Sequence, residues 1–192
     1  MSFLRRFASL SIAVLVLPMA AAALTMEAGS SDPALTQAPA APTASVQLEA
    51  ARAAAAAGAR NILVKFGASW CSWCRRFDAF VDSDEVGSIM SQHFVVVRFT
   101  VQERPEKRAL NTLGAQALMD EWGGRESALP FYVFLDAAGR KIADSNAMPT
   151  GANVGYPTTA VEIQSFTRLL ERAAPRMTAQ DRAHIAQFLT LR

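Results

Sequence analysis

Two cysteines occur in the 192 residues, three positions apart, in the run Phe66-Gly67-Ala68-Ser69-Trp70-Cys71-Ser72-Trp73-Cys74-Arg75-Arg76. Cysteines at that spacing can close a small disulfide ring. The run follows an apolar stretch and opens a helical one. The first cysteine therefore faces the unsatisfied backbone N–H groups and positive dipole end of a helix, which stabilise a thiolate. Arg75 and Arg76 follow directly and add positive potential where they turn toward the pair. A thiolate attacks a partner disulfide, and the second cysteine then resolves the mixed disulfide. Thiol–disulfide exchange is the chemistry this pattern favours. Two other readings compete with it. A purely structural bridge would constrain very little chain and so stabilise weakly. A zinc site would need two further ligands, and the chain has only His93 and His184 as imidazoles and no second cysteine pair.

The elements that must position this pair can be read along the chain. Ser45 is placed to cap a helix over 46–57, rich in alanine and closed by Gly58. Residues 61–66 are apolar and branched, which predicts a strand. A helix is expected from Cys71 toward Phe80. A second helical piece then starts at Asp82-Ser83-Asp84-Glu85, acids that suit a helix start better than a cation site. Phe94 to Val101 (FVVVRFTV) predicts the clearest strand. Helical spacing of Leu110, Leu113, Ala117 and Leu118 predicts one helix over 105–122, stopped by Gly123-Gly124. A strand over 131–135 turns through Asp136-Ala137-Ala138-Gly139 into a fourth strand over 140–144. A helix over 159–173 ends before Pro175, and Thr178 with Asp181 opens a last one over 179–191. Strands separated by helices imply parallel pairing, and the tight turn implies an antiparallel hairpin. The fold class is α/β, a small mixed sheet covered on both faces by helices.

Composition supports one such domain with additions. The chain is 51% hydrophobic and 19% charged, with a formal net charge of +2. Arg5 and Arg6 lie in an N-terminal segment that reads as a secretory signal. It has a positive start, an apolar stretch over 7–19 and small residues at Ala20-Ala21-Ala22-Ala23. Its removal leaves 17 residues of each sign, with no basic footprint for nucleic acid and no polybasic membrane patch. The alternative is an uncleaved membrane anchor over 7–24. The domain reading is thus a signal peptide over 1–23, a flexible Pro/Ala-rich linker over 24–45 and a folded domain over 46–192, whose additional helix falls within 178–191. A periplasmic or otherwise exported location follows.

The run from Phe66 to Cys74 resembles the active-site loop of the thioredoxin superfamily, in particular exported bacterial thioredoxin-like proteins with a W-C-x-W-C motif. The resemblance covers about 46–173. Its second mark is Leu129-Pro130 ahead of the strand beginning at Phe131. The resemblance implies a thioredoxin-like three-layer sandwich plus an extra C-terminal helix. It also implies Cys71 as nucleophile, Cys74 as resolving cysteine and a cis Pro130 lying against them. Trp70, Trp73, Leu129 and Pro130 would contact substrate, and the loop over 146–156 would lie nearby. The sequence departs from the family in one respect. Lys65 stands where the family usually carries a buried aspartate, and Arg98 stands where it carries that aspartate's basic partner. Lys65, Arg75 and Arg98 would then raise the local positive potential and favour thiolates, unless Lys65 instead extends its head to solvent. Asp78, one turn after Cys74, is a candidate for the proton relay this leaves unassigned.

On this reading the protein is an exported oxidoreductase exchanging disulfides with protein substrates. It would use no metal and no organic cofactor, act as a monomer, and draw electrons from a membrane donor. The reducing direction is preferred, because 98–129 has no room for the inserted helical domain of dedicated oxidases. An oxidase or isomerase using the same dithiol is the alternative within redox chemistry, and a non-catalytic binding module is the alternative outside it.

Overall fold

The structure is a computed structural model that describes residues 41–191. The signal over 1–23 and most of the linker fall outside the described residues. Helix α1 (Ala44–Ala57) is capped by Thr43, whose hydroxyl accepts the Val46 N–H, so it begins inside the stretch read as linker and one turn's edge earlier than a Ser45 cap predicts. Gly58 closes it. Strand β1 (Asn61–Gly67) leads into α2 (Ser72–Val81), and Ser83 caps α3 (Asp84–His93), which has Asp84 and Glu85 in its first turn. Strand β2 is Phe94–Thr100, β3 is Phe131–Leu135 and β4 is Lys141–Asp144. Helices α5 (Ala160–Ala173) and α6 (Ala179–Thr190) both start with capping boxes, Thr159 with Glu162 and Thr178 with Asp181.

The single helix expected over 105–122 is two pieces, a 3-10 turn (Pro105–Leu110) and a short α4 (Ala115–Glu121). Gly114 between them is left-handed, at φ 85°, a conformation that costs glycine little and a β-carbon more. Leu110 and Leu113, two of the residues that set the helical spacing, are 55% and 74% exposed. Their spacing matched a helix face, yet no core layer lies opposite them.

The sheet order is β2-β1-β3-β4, with β1 and β2 parallel but β3 antiparallel to both β1 and β4. Parallel pairing across every helical connection was expected, and β1–β3 departs from it. The chain enters β3 at the same end of the sheet where it left β2, and β3 runs backward beside β1. Phe66 is thus paired with Phe131, which brings Leu129-Pro130 to the end of β1 that carries the cysteines.

Strand alternation divides the core. Ile62, Val64 and Phe66 face one side with Val97, Phe99, Phe131 and Val133, under α1 and α4. Leu63, Tyr132 and Phe134 face the other with Phe77, Phe80, Phe166 and Leu170, and the added α6 contributes Ile185, Phe188 and Leu189 to this layer. Past Asn61, every residue of β1 and β3 is buried, as expected for central strands covered on both faces. Lys65 and Gly67 share the face of Leu63 and so point toward α2.

Candidate functional site

Cys71 is the N-cap of α2, and its sulfur accepts the Cys74 backbone N–H at 3.0 Å. The two cysteines are joined as a disulfide with Cα atoms 5.2 Å apart, and they are 4% and 2% exposed. With Ala68 they form a small apolar cluster against which Leu129 packs. The Leu129–Pro130 bond is cis, as the resemblance implies. Helix geometry explains the pair: an N-cap residue and the residue three positions on lie over the same first turn, where free N–H groups collect.

A strap running on from β2 holds the loop between β1 and α2. Glu103, 8% exposed, accepts the Ser69 hydroxyl at 2.9 Å and also the Ser69 backbone N–H. The Trp70 indole donates to the Gln102 carbonyl at 2.9 Å, and Gln102 is itself left-handed at φ 54°. Arg75 reaches back to the Ser69 carbonyl at 2.9 Å. Arg75 is therefore a brace of the loop, anchored on backbone, beside its part in the local charge.

On the open side, Trp73 is 46% exposed and Trp70 45%. The Trp73 ring stacks on Tyr156, with centroids 6.2 Å apart, and the Arg76 guanidinium sits 4.9 Å above it. A groove of about 280 Å³ runs between Trp73, Leu129 and Pro130 on one side and Asn153, Val154 and Tyr156 on the other. Asn153 donates to the carbonyls of Ala128 and Pro130, at 2.6 and 3.0 Å, and so ties the 146–156 loop to the proline segment.

The inner side is charged. Lys65 is 5% exposed, and its ammonium donates to Asp78 at 2.6 Å. Arg98, the register partner of Lys65, donates to the other Asp78 oxygen at 2.9 Å and to Asp82 at 2.6 Å. The expectation of two bases without an acid is corrected here. The carboxylate absent from β1 comes from α2, one turn after Cys74, and two cations meet two anions. Nor does Lys65 carry its head to solvent. Its ammonium is paired with the partly exposed Asp78 at a buried position, where a lone ammonium would be costly.

All nine expected site residues, Lys65, Trp70, Cys71, Trp73, Cys74, Arg75, Arg98, Leu129 and Pro130, gather at the same end of the sheet. Sequence reasoning missed Gln102 and Glu103 as parts of it, and it placed the 146–156 loop nearby without singling out Asn153 or Tyr156. A lone acid within Val101-Gln102-Glu103-Arg104 carries no local pattern, and its partner Ser69 is 34 residues away. Among the described residues, no group of three or more His, Cys, Asp or Glu is arranged to hold a metal ion.

This mixed sheet between helical layers, with a cysteine pair capping the helix after its central strand, defines a thioredoxin-like fold. The family described as thioredoxin-like matches residues 41–137, half of the chain, and the protein belongs to it. Similar solved structures include a disulphide isomerase from Xylella fastidiosa Temecula1, 21% identical over 83% of this chain and 95% of that one, with a TM-score of 0.45. A thioredoxin from Thermus thermophilus is 24% identical over 50% and 68% of the two chains, with a TM-score of 0.37. The DsbD C-terminal domain of Neisseria meningitidis is 20% identical over 50% and 76%, with a TM-score of 0.33. A comparison with curated proteins gives no match. Family membership and the bonded Cys71–Cys74 pair together support a thiol–disulfide oxidoreductase.

Proposed function

We propose that the protein is an exported thiol–disulfide oxidoreductase that reduces disulfides of protein substrates through Cys71 and Cys74. The observation that carries this reading is the Cys71 sulfur at the cap of α2, accepting a helix N–H beside an open aromatic groove. In the reduced protein that N–H and the helix end favour the Cys71 thiolate. The thiolate attacks a substrate sulfur, a mixed disulfide forms, and the first substrate thiolate leaves. Cys74 then attacks Cys71, closing the internal ring and releasing the second substrate thiolate. Two electrons pass from the dithiol to the substrate disulfide, and no cofactor enters the exchange.

Trp70, Trp73, Leu129 and Pro130 are the proposed substrate contacts. Two half-exposed indoles beside a shallow groove suit an extended polypeptide with an apolar side chain near its cysteine. The reducing direction is supported by the connection from β2 to β3, which holds only a 3-10 turn and a seven-residue helix. Export rests on the N-terminal signal pattern, with a membrane electron donor then required to re-reduce the pair. Among the described residues, no helix is long and apolar enough to cross a membrane.

Equilibration in glutathione or dithiothreitol buffers, with thiol trapping, tests the direction. A reductase is expected near the thioredoxin value of about −270 mV, and a value near about −120 mV would replace the proposed reductase with an oxidase.

A further inference from the structure

The two sulfurs are served by different surroundings. Both cysteines are buried, at 4% and 2% exposure, and burial works against a thiolate at either, but the Cys71 sulfur has the helix N–H to offset it. Resolution needs the Cys74 thiolate. The Lys65 ammonium borders the space beside the Cys74 sulfur, in a cleft that Asp78 and Arg98 also line. A β-carbon placed on Gly67 would meet the Lys65 ammonium nitrogen at 3.0 Å and the Cys74 sulfur at 3.1 Å. Both atoms therefore border the same small space, kept open because residue 67 has no side chain. Asp78, which lines the same cleft as Cys74, pairs with Lys65 and is shared with Arg98. The carboxylate's charge is thus divided between two cations, and the ammonium keeps part of its field for the sulfur.

We propose that Lys65 serves the resolving cysteine: its ammonium, positioned by Asp78, stabilises the Cys74 thiolate and so speeds the attack of Cys74 on Cys71 in the mixed disulfide. This rests on the exchange reaction proposed above. In that step the Cys74 thiol first gives its proton to water, through a cleft of about 510 Å³ lined by Lys65, Cys74, Asp78 and Arg98. The Cys74 sulfur then forms its bond to Cys71, the Cys71–substrate bond breaks, and the electron pair leaves on the substrate sulfur, which takes a proton from solvent. Cys71 and Cys74 end oxidised and the substrate sulfur reduced. The remaining charged groups around the site are otherwise engaged. Arg75 is on the Ser69 carbonyl, Glu103 on the Ser69 N–H and hydroxyl, Asp82 on Arg98, and Glu162 of α5 on Thr158 and Thr159.

The test uses the full chain carrying Cys71→Ser, in which Cys74 is the sole thiol and its thiolate absorbance can be followed against pH. The midpoint is expected below the free-thiol value of about 8.5. Lys65→Met, which leaves Asp78 its Arg98 partner, should raise the midpoint by about one unit or more. Asp78→Asn, which frees the ammonium, should lower it. With both cysteines present, Lys65→Met should slow closure of a preformed mixed disulfide about tenfold at neutral pH and leave the initial attack by Cys71 unchanged. A merely structural role would not move the midpoint in opposite directions in the two variants. A midpoint at or above 8.5 in the chain with Cys71→Ser alone, no movement on Lys65→Met, or the same direction in both variants would overturn the proposal. Where a Lys65 variant fails to fold, the titration without it decides alone. Absence of any exchange by the unsubstituted protein would instead defeat the oxidoreductase reading, whereas exchange with a Cys74 midpoint indifferent to Lys65 defeats this inference only.

Discussion

The two sides of the disulfide are built on opposite principles. Toward solvent lies an aromatic groove, with Trp73 stacked on Tyr156 under Arg76 and walled by Leu129 and Pro130. Toward the sheet lies an ionic crevice, with Lys65, Asp78, Arg98 and Asp82 in a continuous chain of contacts of 2.6 to 2.9 Å. The groove offers apolar area and little fixed charge, which suits recognition of varied polypeptides. Of these groups Lys65 is buried, and a fixed charge at a buried position acts more strongly on a buried neighbour, which suits control of a sulfur's protonation. On the proposed exchange, the contrast divides the chemistry between the cysteines: Cys71 would meet the partner and Cys74 would close the ring.

Removing either sulfur should break the comparison most completely. Cys71→Ala should reduce insulin-disulfide reduction to background, whereas Cys74→Ala should still attack once and stop at the mixed disulfide, as gel mobility without reductant would show. Next in size is the strap. Glu103→Ala leaves the Ser69 N–H without its charged acceptor in a half-buried loop, a loss of about 1.5–3 kcal/mol. Thermal unfolding should show a Tm lower by several degrees, with α1 and β4 unaffected in hydrogen exchange. Trp73→Ala sharpens the contrast directly. Losing the Tyr156 stack and the Arg76 contact should weaken peptide binding by about 1 kcal/mol, roughly fivefold in KM. Reduction of the protein by dithiothreitol should not change.

The smallest effect is on stability against pH. The Asp181 carboxyl is held below its usual value of 3.8 by the Thr178 hydroxyl and N–H. Burial pushes Glu162 upward, but hydrogen bonds from Thr158 and Thr159 outweigh it and leave the group below 4.5. Both carboxyls thus bind protons more weakly folded than unfolded. Their stabilisation is present above the unfolded values and is lost as pH falls through the folded ones. Partial burial likewise lowers His93 from 6.5, with Asp181 opposing and Arg176 assisting. Its protonation therefore favours unfolding as pH drops below 6.5. Urea midpoints should fall modestly from pH 7 to 5, and Thr178→Ala should flatten the further loss below pH 4.

How legible these features were depended on the range of the interactions behind them. Strand β3, at Phe131–Leu135, has the bounds its apolar run announces, because all five residues are buried by covering layers. The cysteine motif and the proline segment were equally legible, since each is a short local pattern. The helix broken at Gly114 was not. Leu110 and Leu113 have helical spacing, and only the tertiary layer could show that nothing covers them. The Lys65–Asp78 pair was half legible. Register places Lys65 on the α2 face and one helical turn separates Asp78 from Cys74, but their meeting depends on how α2 lies across β1. Glu103 carried no local signal at all, and Asn153 was legible only as part of the 146–156 loop expected nearby, since each acts through groups far along the chain.

The central claim, that Cys71 attacks and Cys74 resolves, is tested most directly by expressing the full chain with Cys74→Ser and analysing what is bound to it under non-reducing conditions. Mixed disulfides joined through Cys71 to exported proteins, released by dithiothreitol and absent when Cys71 is also replaced, are the expected result. No disulfide-linked partners, or the same partners after Cys71 is replaced, would contradict the account.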